Sequence, residues 1–231
     1  MTRVIVVIPV FNGANTVSRA IDSVLSQTFD GQFEIVVVND GSTDTTAEVL
    51  KRYGGRIRVL DQQNRGPAAA RNAAVEQSNA EYIAFLDADD AFMSDKLART
   101  LPCLTSNQDA VMLFHDAIAL ARDGHEVSQS YVWPERAHPP SMDEMLTEWW
   151  PIVPSTVVMQ RSTFEACGGF CEEFKTPGYE DPELWIRVRE YGEFIYLPER
   201  LTYYMTNGLR AERMEKYVNS RYLFFRRLRR L

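Results

Sequence analysis

Short apolar runs, each halted by a polar turn, constrain this chain more than any other feature. Arg3 to Val10 is continuously apolar and rich in β-branched residues, the pattern of a strand covered on both faces. Phe33 to Val38 repeats it and stops at Asp40-Gly41-Ser42, and two more strands are read at Ile57 to Leu60 and Glu81 to Leu86. Helical spacing fills the gaps. Val17, Ala20, Ile21, Val24 and Leu25 lie on one face before Asp30-Gly31, and a short helix carries Ala47 and Leu50. Gly66-Pro67 then opens a helix that runs through Arg71 and Ala74, with proline in its first turn. Strand and helix in this alternation predict βαβ units, hence a mostly parallel central sheet flanked by helices.

The second half is less regular. Strands are expected at Ala110 to His115 and Thr156 to Gln160, separated by a polar loop from Arg122 to Pro140. Ser141 with Glu144, and Ser162 with Glu165, each carry the spacing of a capping box at a helix start. Asp181-Pro182 begins a further helix with Leu184, Val188 and Tyr191 inward, closed by Gly192. Phe194 to Leu197 and Leu201 to Met205 return as strands. With no linker, repeat or low-complexity stretch, residues 1–205 read as one domain. That domain divides into a regular half over 1–90 and a less regular half over 91–205, followed by a basic helical tail over 206–231.

Charge separates the tail from the body. The chain carries a net charge of −7, yet Arg210 to Leu231 is strongly basic, with only Glu212 and Glu215 opposing its arginines and lysine. An acidic body argues against nucleic acid as a partner. No apolar run approaches the roughly 20 residues of a bilayer span. The apolar start is followed at once by Asn12 to Asn15, so it reads as a first strand rather than a leader, and the expected compartment is the cytoplasm. Cys103, Cys167 and Cys171 cannot all pair and lack zinc-ligand spacing, which fits reduced thiols.

In an open α/β sheet, ligands bind beyond the carboxyl ends of the strands. Those ends here are Pro9-Val10-Phe11-Asn12, Asn39-Asp40-Gly41-Ser42 and Asp87-Ala88-Asp89-Asp90. Asp87 and Asp89 sit two residues apart just past a strand. Such oxygen donors suit Mg²⁺ or Mn²⁺, although a solvated acidic turn with Asp90 as a helix cap gives the same pattern. Asp40 is either a turn aspartate or an acceptor for a base and ribose, with Phe11 offering a ring face. Arg71, near a helix N-terminus, is placed to meet a phosphate or to form a surface ion pair. Glu180-Asp181 either complements a helix dipole or supplies a general base.

In their order and spacing these stretches resemble the family-2 glycosyltransferases, whose fold is the Rossmann-like glycosyltransferase-A fold. The matching segments are Val7 to Asn12, Glu34 to Asp44 (EIVVVNDGSTD), Asn64-Arg65-Gly66 with Ala70-Arg71-Asn72, Tyr82 to Asp90 (YIAFLDADD), and Tyr179-Glu180-Asp181 with Leu184-Trp185. The resemblance implies inverting transfer of one sugar from a nucleotide diphosphate sugar, with UDP the expected carrier, to a hydroxyl of a saccharide or lipid-linked acceptor. By motif, Pro9, Phe11 and Asp40 would hold base and ribose, with Arg71 near the nucleotide or diphosphate. Asp87 and Asp89 would serve ribose, metal and diphosphate, with Asp89 the metal ligand, and Asp181 would be the catalytic base. Residues 1–90 would be the nucleotide-binding half and 91–205 the acceptor-side half, Mn²⁺ or Mg²⁺ is the implied cofactor, and polysaccharide biosynthesis the implied setting.

Three departures qualify the match. Phe11 stands where tyrosine is common, Pro182 directly follows the acidic pair, and no Gln-x-x-Arg-Trp segment follows residue 185. The last disfavours processive synthesis. A sugar-nucleotide nucleotidyltransferase would need a Gly-rich turn with Arg and Lys after the first strand, which reads Phe11-Asn12-Gly13-Ala14-Asn15 instead. A catalytically inactive nucleotide-sugar-binding protein is the remaining alternative. In the tail, Val218, Tyr222, Phe225 and Leu228 follow helical spacing among arginines. Two readings stand open: a helix packed on the domain with Tyr217, Tyr222 and Phe225 in its core, or one lying on the inner face of an anionic membrane.

Overall fold

The computed structural model describes residues 3–121, 124–128, 138–147, 150, 152–174, 178–206, 224, 225 and 227. The first half follows the expected alternation: β1 (Arg3–Val10), α1 (Val17–Leu25), β2 (Gln32–Asp40), α2 (Thr46–Lys51), β3 (Arg58–Gln62), α3 (Pro67–Glu76) and β4 (Tyr82–Phe85). All four strands run parallel in the order β3-β2-β1-β4. The period of two divides β1 between two cores. Ile5 and Val7 face α3 with Val36, Val38 and Phe85. Val4, Val6, Ile8 and Val10 face α1, against Val17, Ala20, Ile21 and Val24. A strand wedged between two apolar layers has no polar side to show, which is why its sequence does not alternate. The α3 face is built of Ala68, Ala70 and Ala74, small enough to seat the helix close to the sheet.

The second half adds β5 (Ala91–Phe92), α4 (Lys96–Thr105), β6 (Ala110–Leu120), β7 (Glu126–Ser128), α5 (Met142–Thr147), a 3₁₀ turn at Pro154–Thr156, β8 (Val157–Gln160), α6 (Arg161–Ala166), α7 (Glu180–Arg189) and β9 (Glu193–Met205). These complete one sheet, β3-β2-β1-β4-β8-β6-β9-β5, with β7 on the side of β6. β8 runs antiparallel between β4 and β6, while β6 and β9 are parallel over a long register. The result is the mixed, mostly parallel, helix-flanked sheet expected for this sequence.

Several local expectations are corrected. α4 was not foreseen: Leu97, Leu101 and Leu104 are buried at helical spacing, but Pro102 lies inside the helix and hides the pattern. The Ser141–Glu144 box forms, with Ser141 N–H donating to Glu144 Oε2 at 2.8 Å. The Ser162–Glu165 box does not, because α6 already starts at Arg161 and Gln160 takes the cap position. Tyr191 is 50% exposed rather than inward, its hydroxyl donating to the Ala166 carbonyl at 3.0 Å. The two expected C-terminal strands are one, β9, bent by register shifts opposite His115 to Ala117. Asp90 caps no helix and is instead 1% exposed.

Most of the expected tail helix lies outside the described residues, as does most of the Arg122 to Pro140 loop. Of the tail, Phe224 packs on Tyr179 with ring centroids 5.2 Å apart, and Arg227 Nε donates to Glu183 at 2.8 Å. Phe225, assigned to the core in the packing reading, is 48% exposed; Phe224 takes that place. Among the described residues no helix is long and apolar enough to cross a membrane.

Candidate active site

The sheet reverses direction of growth at β1, flanked by β2 on one side and β4 on the other, and this is where a crevice opens beyond the strand ends. Pro9 is tolerated in this central strand for a local reason. Val7 directs its carbonyl toward β4, accepting Leu86 N–H at 3.0 Å, and residue 9 turns the same way. β4 pairs with β1 only as far as Val7, so the N–H that proline lacks would have had no partner strand. Beyond it Phe11 stands 52% exposed. Its backbone is fixed by the next residue, Asn12, at φ 52°, whose Oδ1 accepts Thr43 N–H at 2.8 Å and whose N–H reaches Ser42 Oγ at 3.0 Å. Gly13 N–H donates to Thr46 Oγ1 at 3.0 Å. The loops after β1 and β2 are thereby laced together, leaving an exposed ring at their junction.

Asp40 is 3% exposed and already engaged. Its Oδ1 accepts Gln62 Nε2 at 2.7 Å and Arg65 N–H at 2.9 Å, and its Oδ2 accepts Gly66 N–H at 2.9 Å. It thus anchors the segment that enters α3, where Gly66 at φ 91° makes a turn unfavourable for other residues. One lone-pair direction on Oδ2 is left for a ligand donor.

Arg71 is the centre of the site. Its side chain is 3% exposed and lies among three carboxylates: Nη2 to Asp87 at 2.6 Å, Nη1 to Glu180 at 3.4 Å and Nη1 to Asp181 at 3.5 Å. The guanidinium rests over the Phe170 ring at 5.1 Å, and Phe170 packs edge-on against Phe85 and Trp185. Nε has no hydrogen-bond partner. Burial alone would lower the Arg71 pKa, but Asp87, Asp181 and Glu180 outweigh it and hold the group above its ordinary value. Where the sequence offered a phosphate contact or a surface ion pair, Arg71 makes a buried ion pair, its shortest to Asp87.

The acid pair opens α7, where an acidic first turn complements the helix dipole. Glu180 is 1% exposed and accepts Gly178 N–H at 2.7 Å. The Asp181 side chain keeps 18% of its surface. Burial first, then the Glu180 charge, pushes the Asp181 pKa well above the usual carboxylate range, with Arg71 pulling the other way. Glu180 is raised by burial and lowered by Arg71, the rise prevailing. A carboxylate with raised proton affinity and an open edge is the expected form of a general base.

Asp87 retains 30% side-chain exposure and Asp89 is half-buried, its backbone carbonyl held by the Arg19 guanidinium. Among the described residues no three carboxylate, histidine or cysteine groups are grouped to hold a metal by themselves. Asp89 with Asp87 offers hard oxygen donors of the kind Mg²⁺ and Mn²⁺ take, and such ions draw their remaining ligands from water and substrate phosphates. The donor set fits a cation completed by its ligand.

All the expected site residues lie at the carboxyl edge, and Arg71, Asp87 and Asp181 meet there although distant in sequence. What the sequence did not disclose is the support beneath them. Ser155, Lys96 and Phe170 carry no signal of their own, since a serine before a strand and a lysine at a helix start are ordinary surface residues. A shallow concavity of about 640 Å³ opens at the opposite end of the sheet, lined by Asp109, Gln160, Tyr191 and Glu193 among others. None of the site carboxylates lines it, and the strand-end constellation is where chemistry is possible.

Comparison with known proteins bears on family and fold. The family model described as "Glycosyl transferase family 2" matches residues 5–168. Hyaluronan synthase of Pasteurella multocida is 30% identical over 193 residues, 82% of this chain and 19% of its own. Two solved structures share the fold. TarS of S. aureus in complex with UDP-GlcNAc superposes with a TM-score of 0.72 at 20% identity, over 97% of this chain and 65% of that one. Mannosyltransferase PcManGT of Pyrobaculum calidifontis, with GDP-Man and Mn²⁺, gives 0.72 at 18% identity, over 99% and 64%. The chain spans 15 to 19% of the length of several curated relatives that it matches.

Proposed function

The chain belongs to glycosyl transferase family 2, and on that premise we propose that it transfers a sugar from a nucleotide diphosphate sugar to an acceptor hydroxyl, with inversion at the anomeric carbon. The observation that carries the reading is the Arg71 bridge. One buried guanidinium ties Asp87, at the end of β4, to Asp181, at the start of α7. The donor-binding edge and the base are therefore held in one rigid unit.

The acceptor hydroxyl loses its proton to Asp181 as its oxygen bonds to the anomeric carbon. The bond from that carbon to the diphosphate oxygen breaks on the opposite face, and its electron pair leaves with the nucleotide. One displacement inverts the centre through an oxocarbenium-like transition state. Phe11 offers a ring face to the base, Pro9 and Asp40 border the nucleoside, and Asp87, braced by Arg71, meets the ribose and diphosphate. A divalent cation held by Asp89, with Asp87 beside it, would neutralise charge on the departing diphosphate.

The likeness to proteins that bind UDP-GlcNAc and GDP-Man supports a nucleotide diphosphate sugar as donor, with uridine favoured by the sequence resemblance. The likeness to the Pasteurella synthase supports a saccharide acceptor in polysaccharide synthesis. A panel of UDP-, GDP- and dTDP-sugars with Mn²⁺ and simple saccharide acceptors tests the reaction. Proton NMR of the product should show the anomeric configuration opposite to the donor's; a retained configuration would overturn the single displacement.

A further inference from the structure

Beneath the acidic turn lies a buried polar network that takes no direct part in the proposed reaction. Lys96, His115, Ser155 and Thr202 are each 0% exposed and Asp90 is 1% exposed. Ser155, in the 3₁₀ turn before β8, is the hub. Its Oγ accepts Asp87 N–H at 3.0 Å and donates to Asp90 Oδ2. Its carbonyl accepts Lys96 Nζ at 2.6 Å and Thr202 Oγ1 at 2.9 Å. The other Asp90 oxygen accepts Met205 N–H at 2.8 Å, and Asp90 N–H closes back on the Asp87 carbonyl at 3.0 Å.

The network is costly to keep. Lys96 lies over the Phe92 ring at 3.6 Å, and burial drives its pKa well below normal. Burial, with Asp87 and Asp89 adding to it, raises that of Asp90. His115 Nδ1 must carry its proton, because it faces the Asp116 carbonyl at 2.7 Å, which leaves Nε2 buried without a partner. Apolar packing of the same volume often stabilises a fold as well or better, so stability alone does not account for these groups. What they do fix is geometry. The residues at both ends of the Asp87–Asp90 turn are pinned to one hydroxyl, and Asp87 and Asp89 keep exposed surface on its outer side.

We propose that Ser155, acting with Asp90, is a positioning residue of the donor site, holding the turn so that the Asp87 and Asp89 carboxylates meet the nucleotide diphosphate. This rests on the function proposed above, and the test separates the two. Ser155→Ala removes the shared hydroxyl. Thr202→Val removes a bond to the same residue on its carbonyl side and leaves the hydroxyl bridge intact. Amide exchange at Asp87, followed by NMR, should accelerate at least about tenfold in Ser155→Ala, the scale of one lost hydrogen bond. Binding of UDP and of GDP with Mn²⁺ should weaken by about tenfold or more in that variant, and stay within about twofold in Thr202→Val. Asp90→Asn, which alters the group facing Ser155 at constant size, should weaken binding in the same direction and serves if Ser155→Ala does not fold. Unchanged binding in the folded Ser155 or Asp90 variant, or an equal loss in Thr202→Val, would reduce the network to a structural role. Absence of nucleotide binding in the wild type would instead strike the proposed function, while the exchange measurement still reports on the Asp87 contact.

Discussion

Three carboxylates share the single guanidinium of Arg71, and burial, with the Glu180 charge adding to it, raises the proton affinity of Asp181. Its folded pKa lies above the unfolded value, so its contribution to stability is full below the unfolded pKa and is lost as pH rises through the folded one. An uncharged isostere escapes that loss. Asp181→Asn should therefore abolish at least about 10²-fold of the transfer rate while melting higher than wild type at neutral pH, the difference shrinking toward pH 4. The wild-type rate should rise with pH along an acid limb displaced above the ordinary carboxylate range. A variant that keeps its rate, or a limb at the usual carboxylate position, would place the base elsewhere. Asp181, Asp87 and Asp40 were legible in sequence because acid residues at strand and helix ends stand out against apolar runs. Ser155 and Lys96 were not: polarity in a sequence says nothing about direction, and both point inward.

At the scale of elements, strands covered on both faces announce themselves, and β1 and β2 were read nearly to their ends. α4 was concealed by Pro102, and β9 was split in the reading because its polar centre, Pro198 to Arg200, interrupts the apolar pattern where the ladder shifts register. Asp40 illustrates how an element depends on a residue well before it in sequence. Its carboxylate receives the Arg65 and Gly66 amides that lead into α3, the helix bearing Arg71. Asp40→Ala should cost about 1–3 kcal/mol for each amide left buried without a partner, read as a lower denaturant midpoint, and should weaken nucleotide binding as well. A midpoint equal to wild type would show that water replaces the carboxylate and that α3 does not rely on it.

Across the whole molecule, sheet order decides where function can sit. The parallel half ends in a polar crevice between β1 and β4, and the mixed half brings α7 over that crevice, so Asp87 and Asp181, 94 positions apart, share one arginine. The concavity at the far end of the sheet has volume without convergent chemistry. Fold class followed from the first ninety residues; the junction of the two halves did not, because β8 inserts antiparallel between β4 and β6 and no local pattern encodes that choice. On the proposed function, the strand-end carboxylates bind a nucleotide diphosphate together with a divalent cation. Isothermal titration calorimetry of UDP and GDP, with and without Mn²⁺, on wild type and Asp89→Asn addresses it directly. Tight binding is expected only with Mn²⁺ in the wild type, with loss of that metal dependence in Asp89→Asn and thermal stability unchanged. Equal affinity with and without metal in the wild type, or full metal-dependent binding in Asp89→Asn, would contradict it.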